Sequence, residues 1–121
     1  MQGLGELEAA VMNVLWDATE PLKVRGVLER LDTGKPLAYT TVMTVLDNLH
    51  RKQWVEREKH GKAYEYEAAF PRDEASARAL REVLDSADDP HAVLMRFVAT
   101  VSDEETDLLR TALSKKRVRR R

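Results

Sequence analysis

The chain has no cysteine among its 121 residues. That absence excludes disulfides, thiolate nucleophiles and cysteine-based metal sites together, and it suits a reducing cytoplasm. No apolar run approaches the roughly 20 residues a helix needs to span a bilayer. The opening Met1-Gln2-Gly3-Leu4-Gly5-Glu6 lacks the basic start and apolar core of an export signal, so a cytoplasmic protein is expected. His50, His60 and His91 do not fall at a metal-ligand spacing. There is no glycine-rich phosphate loop, nucleophile elbow or HExxH helix, so neither an enzyme nor a cofactor is expected. Acidic pairs such as Glu104-Glu105 sit in a helix's first turn, where the macrodipole accounts for them.

Positive charge is scarce over most of the chain. Residues 1–22 hold Glu6, Glu8, Asp17 and Glu20 and no Lys or Arg. The net charge is −1, but six of the 20 basic residues lie in the last seven positions, leaving 14 basic against 21 acidic elsewhere. A nucleic-acid footprint must then be local, since patches and not the whole-chain sum decide such binding. The usable patch is Arg51, Lys52, Arg57, Lys59 and Lys62, with His60 among them.

What is present is patterned. Leu4 to Asp17 reads as a helix with Leu4, Leu7, Val11, Val14 and Leu15 on one side. A second helix, Leu22 to Leu31, is entered after Pro21 and stopped by Gly34 and Pro36. A third, within residues 36–52, sets Val42, Val45, Leu46 and Leu49 on one face and Thr40, Met43, Thr44, Asp47 and Arg51 opposite, with Asn48 at the edge. Trp54 to Lys59 and Lys62 to Glu67 then read as two strands joined by a His60-Gly61 turn. Three more helices follow: Asp73 to Ala87, His91 to Val101, and a last one entered through the capping box Ser102-Asp103-Glu104-Glu105.

A helix of this kind followed at once by a basic-tipped hairpin is how a winged helix-turn-helix presents itself to DNA. The expected fold is mostly α with a small β-hairpin wing, followed by a C-terminal helical dimerisation module. Residues 1–71 form the DNA-binding domain, 72–114 the dimerisation domain, and 115–121 a basic tail without fixed structure. The three C-terminal helices are too short to bury their apolar rows alone, and short helices draw stability from packing. A second copy of the chain would cover Val93, Leu94, Phe97, Val98, Val101, Leu108, Leu109 and Leu113.

The predicted DNA contacts are Tyr39, Thr40, Thr41, Met43, Thr44, Asn48 and Arg51 on the helix and Arg57, Lys59 and Lys62 on the wing. Threonine is a poor helix former, so its repeated use on an exposed face costs a few tenths of a kcal/mol each. Its hydroxyl and methyl suit phosphates and base edges, and Arg51 suits a phosphate or a guanine. Asp47 fits a cytosine, a basic side chain, or a place outside the interface. Glu56, Glu58, Glu65 and Glu67 are expected to face away from DNA, and Tyr64 and Tyr66 to pack. The rival reading is a winged-helix protein-interaction module that never touches DNA, which leaves the basic residues around a threonine face unexplained.

Two strings, Glu8-x-x-Val11-Met12-x-x-Leu15-Trp16 and Thr40-Thr41-Val42-x-Thr44-x-Leu46-x-x-Leu49, together with Gly61-Lys62-Ala63-Tyr64-Glu65-Tyr66, carry a resemblance nearly end to end. The chain resembles the penicillinase repressors, a family that includes the repressor of methicillin resistance. The resemblance implies a homodimer on inverted-repeat operators ahead of β-lactam-resistance genes. It also implies relief through a membrane-bound sensor protease that leads to cleavage in the dimerisation region. The family's cleavage position maps onto Arg96-Phe97, where the family pattern has Asn before the Phe. At Gln53 the family usually has Gly. Copper-sensing relatives use C-terminal cysteine clusters, which this chain lacks.

Overall fold

The computed structural model describes residues 3–119. Helix α1 (Glu6–Asp17) starts at Gly5, whose amide donates to Glu8 Oε1 at 3.1 Å, and buries Val11, Met12 and Leu15. The expected second helix is shorter than its periodicity suggests. Leu22–Lys23 is a two-residue strand, β1, and α2 runs only over Val24–Arg30. The reason is tertiary: Leu22 pairs with Tyr66 and Lys23 with Glu65, so the residues after Pro21 complete a sheet edge instead of a helical turn.

Helix α3 (Tyr39–Arg51) buries Val42, Val45, Leu46 and Leu49, the face its spacing predicts. Its end is a Schellman motif. Gln53 N–H donates to His50 O at 3.0 Å and Trp54 N–H to Leu49 O at 2.9 Å, with Gln53 at φ 68°. Among the described residues Gln53 is the non-glycine with positive φ, at the position where the resemblance puts glycine. Strands β2 (Val55–His60) and β3 (Ala63–Ala68) are antiparallel, and the sheet order is β1-β3-β2. The turn is Gly61–Lys62, one residue later than predicted, because His60 pairs with Ala63. Gly61, at φ 65°, supplies the left-handed first position of a two-residue hairpin loop.

The core joins α1, α2, α3 and the sheet through Val11, Met12, Val27, Val42, Leu46, Leu49, Val55 and Tyr66. Truncating Leu46 or Leu49 to Ala there costs about 2–5 kcal/mol. Lys52 Nζ lies 2.9 Å from Glu8 Oε1, tying the end of α3 to α1. Burial raises the Glu8 pKa, but the Lys52 and Gly5 hydrogen bonds outweigh it and hold the carboxyl below its ordinary value.

The chain divides into two compact units within α4 (Arg72–Ser86), Met1–Arg81 and Glu82–Arg121. The first turns of α4 belong to the first unit because they seal its edge. Ala75 is buried, Arg72 donates to Asp17 Oδ1 at 3.0 Å, and the Arg78 guanidinium lies 3.9 Å from the centroid of the Phe70 ring. Trp16 Nε1–H donates to Phe70 O at 3.0 Å.

The second unit holds the rest of α4, α5 (Pro90–Val98) and α6 (Asp103–Arg119). Asp89 caps α5, accepting from the Ala92 amide at 3.1 Å. Helix α5 ends three residues earlier than predicted, with the Thr100 hydroxyl donating to Phe97 O, so Val101 lies in the connection to α6. The predicted capping box is formed: Glu105 N–H donates to Ser102 Oγ at 3.1 Å and Ser102 N–H to Glu105 Oε1 at 2.9 Å. Helix α6 continues through residues 115–119, part of the segment expected to be a tail without fixed structure, while residues 120–121 lie outside the described range. Acids at the start of α6 and cations at its end both favour the helix dipole. Among the described residues no helix is long and apolar enough to cross a membrane.

Candidate nucleic-acid interface

Helix α3 positions the predicted contacts by its own period. With one face committed to the core, Tyr39, Thr40, Thr41, Met43, Thr44 and Arg51 are exposed together, and Asn48 is half-buried at the margin. Tyr39 keeps 43% and Met43 38% of its surface accessible, so the row offers methyl and ring surface beside its hydroxyls. Among the described residues, Arg51 makes no ion pair.

The hairpin sorts its charges by strand parity. Glu56 pairs with Glu67 and Glu58 with Glu65, which puts all four carboxylates on one face. Arg57 and Lys59 share the other face with Tyr66 and Tyr64, their cross-strand partners. His60 belongs to the acidic face, 3.5 Å from Glu65 and 3.9 Å from Glu58, and so does not join the basic patch expected of it. Lys52 leaves that patch too, through Glu8. Lys59 and Lys62 remain exposed, Lys62 in the turn at the tip.

Arg57 sits differently from Lys59 and Lys62. Its side chain is 25% exposed and donates from Nη1 to Asp47 Oδ1 at 3.0 Å. Its guanidinium lies 4.2 Å from the centroid of the Tyr64 ring. A side-chain hydrogen bond with Tyr66 pushes its pKa further up. Burial is the main cause that raises the Tyr66 pKa. Of the alternatives open for Asp47, the basic partner is the one realised. Tyr66 is buried, as expected of a packing residue, while Tyr64 is 37% exposed and carries Arg57 on its ring.

Between α3, the start of α2 and the hairpin lies a cleft of about 490 Å³, walled by Tyr39, Met43, Asp47, Tyr64 and Tyr66. Arg25 also borders it, its guanidinium 5.9 Å from the centroid of the Tyr39 ring. Sequence reasoning missed Arg25. The available signal was a cation in the first turn of a helix, where the dipole disfavours it.

An exposed polar helix presented by a helical core, with a basic-tipped hairpin beside it, defines a winged-helix transcriptional regulator. The penicillinase repressor family matches residues 4–115, and the chain belongs to that family. Transcriptional regulator BlaI of Mycobacterium tuberculosis, from strain CDC 1551 / Oshkosh and from strain ATCC 25618 / H37Rv, is 44% identical over 114 residues, spanning 92% of this chain and 83% of the relative. Among solved structures, MepR, a transcription regulator of the Staphylococcus aureus multidrug efflux pump MepA, is similar with a TM-score of 0.50. That likeness, at 15% identity over 98% of this chain and 82% of MepR, bears on the fold alone.

Proposed function

We propose that this repressor acts in the cytoplasm as a homodimer on inverted-repeat operators, controls β-lactam-resistance genes, and is relieved by proteolysis at Arg96-Phe97. The observation that carries the DNA reading is the exposed row of Thr40, Thr41, Thr44 and Arg51 beside Lys59 and Lys62, which form no ion pair among the described residues. Phosphate contacts from the lysines and hydroxyls fix register, and base edges are read from the middle of α3.

The dimer reading is supported by α5, which contains no buried residue in the single chain. Leu94, Phe97 and Val98 keep 47%, 51% and 45% of their surface accessible, and Leu108 and Leu113 of α6 keep 64% and 59%. Apolar surface on this scale marks an interaction site. Two subunits then engage two half-sites, and the second contact is effectively intramolecular. The mapped scissile bond lies inside the last turn of α5, so a sensor-linked protease must first open that turn.

A mobility-shift titration with DNA from upstream of resistance genes, at two salt concentrations, tests the reading. Saturable binding to an inverted repeat that weakens with salt is the expected result. Absence of saturable, salt-sensitive binding to any fragment refutes it.

A further inference from the structure

We propose that Asp47 is a positioning residue for DNA binding: paired with Arg57, it latches the wing to the recognition helix so that Lys59 and Lys62 meet the DNA backbone. The inference rests on the DNA-binding reading above and revises the role expected of Arg57 within it.

The misplaced charge comes first. Asp47 lies on the same row of α3 as Thr40, Thr44 and Arg51, where a free carboxylate would repel phosphate. It is not free. Arg57 Nη1 lies 3.0 Å from its Oδ1, and α3 and β2 are thereby joined across ten residues of chain. Arg57 is held on its other side by the Tyr64 ring at 4.2 Å. To reach a phosphate it would have to leave both partners. A planar guanidinium that stacks and hydrogen-bonds at once is better suited to holding than to reaching.

The position of the pair along the hairpin matters as much. Val55 is 3% and Tyr66 1% exposed, and Tyr66 is the cross-strand partner of Arg57. Beyond that pair the hairpin has no buried residue through residue 65. An isolated two-stranded ribbon is marginally stable in water, so its direction depends on what holds its base. Lys59 and Lys62 lie two and five residues beyond Arg57. A small rotation at the base therefore moves both ammonium groups away from their phosphates.

The latch and plain electrostatics predict opposite signs for one substitution. Asp47→Asn keeps the shape of a half-exposed side chain and removes a negative charge from the DNA-facing row. If Asp47 only repels DNA, or if Arg57 is itself a phosphate ligand freed by the change, operator binding tightens. If the pair is a latch, binding weakens by roughly three- to tenfold, and the salt slope flattens by about 0.9 for each lysine that no longer reaches a phosphate.

The decisive comparison repeats Asp47→Asn in a Lys59→Ala, Lys62→Ala background. There the substitution should cost nothing further, because the lysines it positions are gone. A general defect in α3 would cost the same in both backgrounds. Asp47→Glu, which retains the charge, should restore most of the binding. Hydrogen exchange of the hairpin amides, read without DNA, should be faster in Asp47→Asn than in the parent protein. Tighter or unchanged binding by Asp47→Asn overturns the proposal, as does an equal loss in the lysine-free background. A parent protein that binds no DNA would refute the DNA-binding reading, while the exchange measurement would still decide whether the pair restrains the hairpin.

Discussion

Single residues in this protein divide between those that touch the proposed partner and those that set the angle of the ones that do. Arg51 is proposed to be of the first kind: it is exposed, free of an ion pair among the described residues, and one turn beyond Asp47 on α3. Arg51→Ala should weaken operator binding by roughly 1–3 kcal/mol if the side chain reads a base, and should weaken all sequences about equally if it meets a phosphate. Titrating operator and scrambled DNA side by side separates the two, and unchanged affinity for both would remove α3 from the recognition role. Gln53 is of the second kind. Its φ of 68° lets the chain turn from α3 into β2, and a side chain in that conformation costs about 1–2 kcal/mol relative to the right-handed region. Glycine avoids the steric cost but loses about 0.5–1 kcal/mol to chain entropy, so Gln53→Gly should stabilise the protein by a net of about 0.5–1 kcal/mol. Thermal denaturation checks this as a rise of a few degrees in Tm. A fall would show that the Gln53 side chain contributes more than its backbone costs.

Secondary elements show where sequence legibility begins and ends. Helix α3 is readable because its apolar residues repeat at helical spacing and all four are buried. The capping box of α6 is readable because it is a local pattern with a local partner. Strand β1 is not, because Leu22 and Lys23 are set by Tyr66 and Glu65, more than forty residues away. The hairpin is legible as a hairpin, but its turn falls one residue later than the sequence suggests. Only the cross-strand pairing of His60 with Ala63 decides which two residues make the bend. That shift matters for the site, since it moves Lys62 from a strand to the tip. The grouping of basic residues is half legible: strand parity removes His60, and tertiary pairing removes Lys52 and occupies Arg57. Lys59 and Lys62 remain exposed as the proposed backbone contacts. Replacing both with Ala should flatten the slope of log affinity against log salt by roughly 0.9 for each phosphate no longer neutralised, with sequence preference nearly unchanged. A changed operator preference at constant slope would mean that the wing reads bases.

At the scale of the whole molecule, the proposed reading surface and the exposed apolar rows fall in different units of the chain, and that separation would allow the proposed regulation by cutting. The first unit has its own core, with Ala75 of α4 buried and Arg78 over the Phe70 ring, and both α3 and the wing lie within that unit. The second unit exposes Leu94, Phe97 and Val98 on α5 and Leu108, Leu109 and Leu113 on α6. A cut at Arg96-Phe97 would divide the α5 row and release α6, leaving every proposed DNA contact chemically intact. Weaker binding would then come from the missing second half-site, whose contribution through effective concentration can reach roughly 10²–10⁴ in affinity. A fragment ending at Arg96 should keep the circular dichroism expected of its helices and unfold cooperatively, yet sediment as a monomer. Its operator affinity should fall far below that of the intact chain and approach that of a single half-site. Its salt slope should fall to about half, because one subunit neutralises half as many phosphates as two. If the fragment stays dimeric and binds as tightly as the parent, the interface lies upstream of α5's last turn and cleavage there cannot be the release step. If it is monomeric but binds unchanged, the operator is read by one subunit and the inverted-repeat arrangement is wrong.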